Sequence, residues 1–220
     1  MKGLANFFSF LFHPIFIPMY SVFLYFKIDN YQNRILIKDD GFLYVIYSLM
    51  IIIGIVFPLI SFLIMYKTKF ISDLNINQRK ERIPVLIIVF IYYLMVYFMY
   101  RTWNESYINL PMPFEQLISF LFGGLVIMIL TTIITLKLKI SLHSIAIGGM
   151  AGGFLALSIV MSPINNLESL IQLNACLLII MGIVSSSRLF LKAHIPYEVL
   201  TGMVLGFGIE YFIVINEITI

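Results

Sequence analysis

Arg188, Lys192, His194 and Glu198 crowd into one short stretch, SSSRLFLKAHIPYEV (Ser185–Val199), of a chain that otherwise avoids charge. Their types and spacing suit phosphoryl chemistry. Pro196 is a good first-turn residue for a helix, because its missing N–H has no intrahelical partner to lose there. This predicts Glu198 in the first turn and His194 just before it, where a glutamate can reach back to the preceding chain. A carboxylate bonded to one imidazole nitrogen fixes the tautomer and makes the other nitrogen a better nucleophile. Arg188, six residues before His194, closes the preceding helix and offers a planar fork that matches phosphate oxygens.

The elements that must hold these groups are set by composition. Of 220 residues, 61% are hydrophobic and 11% charged, whereas soluble domains average roughly 45–50% apolar and about 25% charged. So much apolar surface needs lipid as its solvent. Seven apolar runs stand out: Ala5–Phe26, Phe42–Tyr66, Pro84–Tyr100, Phe114–Leu136, Ile140–Met161, Leu167–Leu191 and Tyr197–Ile215. All fall in the range of roughly 17–25 residues that lets a helix cross a bilayer. None shows the strict alternation of a membrane strand. The expected fold is an all-α integral membrane protein, a single domain over residues 1–220. It is a bundle of six to seven transmembrane helices with the polar site at one membrane interface. A bacterial inner membrane is the expected location.

The opening run resembles a signal peptide but lacks a small-x-small cleavage site and holds Pro14 and Pro18. It reads as a retained first helix, kinked at the prolines. Cys176 is the only cysteine, which rules out an internal disulfide or a cysteine metal site. A net charge of +3, scattered along the chain, gives no footprint for nucleic acid.

Short loops put three polar stretches on one face of the bundle: NQRKERIP (Asn77–Pro84), KISLHS (Lys139–Ser144) and SSSRLFLKAHIPYEV (Ser185–Val199). Ser187, Arg188 and His194 follow a serine-arginine-x5-histidine spacing, with Glu198 four residues on. This resembles the closing signature of the type 2 phosphatidic acid phosphatases, the lipid phosphate phosphatases related to vanadium-dependent haloperoxidases. That signature normally ends in aspartate; here the longer Glu198 stands in its place. The family's proline-serine-glycine-histidine motif is matched by ISLH, which keeps Ser141 and His143 but has Ile140 and Leu142 at the other two positions. Its lysine-x6-arginine-proline motif is matched loosely by RKERIP. There Arg82 is one residue further from Pro84, Asn75 sits where the lysine belongs, and Arg79 or Lys80 supplies the second cation.

The resemblance implies a phosphoryl transfer that uses no metal or other cofactor, on a membrane lipid bearing a phosphate or pyrophosphate. His194 would attack phosphorus, Glu198 would orient it, and His143 would protonate the leaving oxygen. Arg188, Arg82 and one of Arg79 or Lys80 would hold the phosphate oxygens, with Ser141 beside them. Lys67, Lys69 and Lys137 read instead as interface anchors. His13 is expected to hydrogen-bond structurally, with a place beside the phosphate as the alternative. Gly148–Gly153, with small residues four apart, reads as a helix-packing face. Glu210, inside the final run, has no assignment. The altered motifs support a second reading, a non-catalytic lipid-phosphate-binding relative or a small subunit of a larger membrane assembly.

Overall fold

The computed structural model describes residues 2–29, 31–36, 40–72, 79–106, 114–161 and 167–219. The helices are α1 (Lys2–Leu11), α2 (Ile17–Tyr25), α3 (Tyr31–Leu36), α4 (Asp40–Ile51), α5 (Phe57–Lys67), α6 (Arg79–Ser106), α7 (Glu115–Thr135), α8 (Leu142–Val160), α9 (Leu167–Phe190) and α10 (Pro196–Ile215). A π-helical turn, Ile52–Val56, joins α4 to α5 without a break, so the pair acts as one long helix. No strand occurs among the described residues. With no water in the hydrocarbon layer, helices are the elements that satisfy their own backbone.

Six helices are long and apolar enough to cross a membrane, among the described residues. The predicted seventh, Ala5–Phe26, is not one helix. The chain leaves α1 through turns at His13 and Phe16 and restarts as α2. Pro14 has no N–H to offer the Phe10 carbonyl and pushes His13 out of helical backbone geometry. The two pieces, of 10 and 9 residues, each fall well short of the roughly 20 that a crossing needs. The third run differs in the other direction: α6 begins at Arg79, not Pro84. Pro84 lies inside it, one turn past Lys80, whose carbonyl it has no N–H to serve.

α8 is the hub, packed against α10, α9, α7 and α2. Its contact with α10 is a glycine seam. A Cβ added at Gly148 would lie 2.6 Å from the Met203 carbonyl oxygen, and one at Gly152 would lie 2.2 Å from that of Phe207. From the other side, a Cβ at Gly206 would lie 2.1 Å from the Ile145 carbonyl oxygen. Small residues four apart on both helices let the backbones touch, the membrane substitute for a hydrophobic drive between helices. Gly149 and Gly153 turn instead toward Ile127, Phe120 and Glu210. Outward faces carry Ile179, Val204 and Phe212, each more than half exposed, as lipid contact requires.

Candidate active site

The end of α9 and the start of α10 are shaped by their own residues. Lys192 takes a left-handed backbone, φ 52°, and the Ala193 N–H donates to the Arg188 carbonyl at 3.2 Å. This closes α9 with the glycine-type cap, here on a lysine. Ile195 is extended and Pro196 opens α10, since a residue before proline avoids the helical region. The reversal leaves His194 one turn ahead of Glu198. The His194 Nδ1–H donates to Glu198 Oε2 at 2.6 Å, with the two side chains only 7% and 13% exposed. Glu198 also sits in the first turn of α10, where the helix dipole favours negative charge.

The entrance of α8 is tied to the same place. The Ser141 N–H donates to the Glu198 carbonyl at 3.3 Å, and Lys139 Nζ donates to the Ala193 carbonyl at 2.9 Å. Ser141 is fully buried. Its Oγ caps α8 by accepting from the Ser144 N–H at 3.4 Å and shares a 2.9 Å bond with Ser144 Oγ. His143 follows in the first turn, and its Nε2–H donates to the Ser9 carbonyl at 3.0 Å. A carbonyl can only accept, so Nε2 carries hydrogen and Nδ1 is the nitrogen left to exchange a proton.

His13 stands against His143, ring edge to ring face, with centroids 5.2 Å apart and planes at 86°. Its Nδ1 accepts from the Ile15 N–H at 3.3 Å. The sequence favours a structural hydrogen bond for His13, with a place beside the phosphate as the alternative; the ring contact puts it next to His143. The one signal was a polar ring beside a proline in an apolar run, where the helix had to open.

The cations complete the cluster. The Arg188 charge acts on His13, His143 and His194, Arg82 acts on Arg188, and Glu198 acts on Arg82. Both arginines are half-buried, and Arg188 Nε is buried with no hydrogen-bond partner. Ser187 turns away and donates to the Ile183 carbonyl of its own helix at 2.8 Å. The backbone of Arg79 and Lys80 opens α6, but their side chains, like Asn75, lie outside the described residues. Burial pulls the His194 imidazole below its ordinary value, and the Glu198 bond pulls it part of the way back against the charges of Lys139 and Arg188. The result is an imidazole biased toward its neutral form, with its tautomer set by the carboxylate on Nδ1.

No protein family, curated protein or solved structure matches this chain.

Proposed function

We propose that the protein is a membrane phosphatase that hydrolyses a lipid phosphate or pyrophosphate through a phosphohistidine on His194. The observation that carries this reading is the pairing of a carboxylate-held imidazole with two mutually repelling, half-buried arginines, one of which has an unpartnered Nε–H. Like charges brought together out of bulk water call for an anion between them, and a tetrahedral phosphate answers both guanidiniums at once. The broader resemblance to the type 2 phosphatidic acid phosphatases rests on the same residues.

In the first step His194 Nε2 forms a bond to phosphorus as the phosphorus–oxygen bond to the lipid breaks. The electron pair goes to the leaving oxygen, which takes the Nδ1 proton of His143; for this step His143 is the imidazolium, the form that a bound phosphate dianion favours, with its Nε2–H still on the Ser9 carbonyl. The positive charge gained by His194 is balanced by Glu198 through Nδ1–H. In the second step water attacks phosphorus, its proton passes to His143 Nδ1, the phosphorus–nitrogen bond breaks with its electron pair returning to His194 Nε2, and phosphate leaves. Arg188 and Arg82 neutralise the equatorial oxygens throughout, the main task in a reaction that needs positioning and charge more than covalent help. The non-catalytic alternative draws on Leu142, which replaces the glycine that lets backbone approach phosphate. Phosphate release from a panel of lipid phosphates by the purified protein separates the two readings.

Because side-chain cations are assigned the oxygens, turnover is expected to persist in EDTA and to be inhibited by vanadate, which imitates five-coordinate phosphorus. Complete loss in EDTA with recovery on adding magnesium would overturn the scheme.

The pH profile follows from His194. The attacking form is neutral, so with the imidazole held below its ordinary 6.5 the acid limb of kcat/KM is expected below that pH. The Glu198 bond is what raises the value. Glu198→Gln should therefore move the limb to still lower pH while the plateau falls. A limb that stays put or moves toward neutrality would detach Glu198 from the nucleophile.

A further inference from the structure

Beneath the polar cluster, α2, α5, α6, α7, α8 and α10 enclose a cavity of about 360 Å³ with almost wholly apolar walls. His13 and Leu142, the neighbours of His143, line one end. Glu210 lines the other. Along α8 the lining runs from Leu142 to Met150, a rise of roughly 12 Å.

Two features mark this as a built slot. Gly124 lines it, and a Cβ there would meet nothing within 4 Å, so the glycine keeps a wall open where the fold leaves room for a side chain. Glu210, 1% exposed, has no hydrogen-bond partner at either carboxyl oxygen. It is wedged against Gly123 and Gly153, where an added Cβ would come within 2.7 and 2.8 Å of its side chain. Leaving such a group unpaired is costly, yet Gly123, Gly149 and Gly153 all make room for it. An unfilled apolar void also forfeits dispersion contacts along its whole lining.

We infer that the cavity seats one hydrocarbon chain of the lipid whose phosphate docks at the cluster, and that Glu210 is the stop that sets the chain's length. The headgroup end rests on the phosphatase reading; the chain-binding slot does not. An apolar chain gains contacts down the slot until it meets the carboxyl. Beyond that point further carbons find a polar group held in place by glycine backbones and gain nothing. The favoured substrate class is a lipid phosphate with one chain of medium length, drawn sideways from the bilayer.

The test uses octyl, dodecyl and hexadecyl phosphates carrying a terminal diazirine, crosslinked to the purified protein in nanodiscs and mapped by peptide mass spectrometry. The dodecyl probe is expected to label Gly124, Ile127 or Met150; label confined to outward residues such as Ile179 and Phe212 would overturn the proposal. Gly124→Leu should cut cavity labelling at least about tenfold, about 1.4 kcal/mol, with Gly124→Ala giving a smaller cut should the leucine variant misfold. Unchanged labelling in the alanine variant would count against the slot. Glu210→Ala should shift the preferred probe from dodecyl to hexadecyl and Glu210→Gln should not; one profile shared by both variants and the parent removes the stop. Phosphate release is read on the same samples. Cavity labelling without hydrolysis sinks the phosphatase reading alone, and hydrolysis with label outside the cavity sinks the slot alone.

Discussion

His194→Ala is expected to abolish phosphate release, a fall of at least about a hundredfold or about 2.7 kcal/mol in the barrier. The attacking atom is gone, and neither of the other two imidazoles is bonded to a carboxylate as His194 is. His143 faces the Ser9 carbonyl through Nε2, and His13 has its Nδ1 occupied by the Ile15 N–H. Glu198→Ala removes only the partner that sets tautomer and balances charge, so a small residue of turnover should remain. His194→Ala also leaves the largely buried Glu198 carboxyl without its 2.6 Å partner, so some loss of thermal stability in detergent is expected, and rates are compared at a temperature where both proteins are folded. Radiolabelled lipid phosphate should leave an acid-labile label on the parent protein and none on the His194→Ala variant. A variant that keeps more than about a hundredth of the parent rate would dismiss the phosphohistidine.

The second large effect is expected at Gly206→Ala. The added Cβ would lie 2.1 Å from the Ile145 carbonyl oxygen and 2.9 Å from the Gly149 nitrogen. Both are backbone atoms of α8, so no side chain can move aside and the helices themselves must separate. A destabilisation of about 3 kcal/mol, at the upper end for overpacking, is expected. Activity should fall with it, because α8 carries His143 and α10 carries Glu198. The control is Gly208→Ala, two residues on, where a Cβ meets nothing within 4 Å. It should match the parent in thermal inactivation or exceed it slightly through helix propensity. Equal midpoints for the two variants would mean that the seam is not close-packed.

What could be read from the chain depended on how local each feature is. Run lengths follow from the thickness of the hydrocarbon layer, and six of them appear as crossing helices. The His194–Glu198 contact spans one turn and needs only Pro196 to set the helix start. The run Ala5–Phe26 misled because hydropathy counts side chains and overlooks the N–H that Pro14 lacks. Arg79, Lys80 and Arg82 fell outside the third apolar run, yet α6 extends through them. Pattern reading finds the apolar part of a helix and not its polar first turns. Gly148 and Gly152 were legible as a packing face, whereas Gly202 and Gly206, the matching pair on α10, went unremarked. Glu210 had no legible role because Gly123, Gly149 and Gly153 reach it from two other helices, far away in the sequence.

The seam between α8 and α10 also bears on how the protein is made. Ribosomes deliver α8 to the membrane well before α10, and in that interval Gly148 and Gly152 face lipid with no backbone opposite them. During the same interval His143 already sits at the head of α8, but Glu198, on α10, has not been synthesised. The arrival of α10 therefore closes the seam and completes the polar cluster in one event. Nascent chains halted before α10 should present an open groove along α8 at Gly148 and Gly152. Packing of the last helix and completion of the polar cluster become a single step.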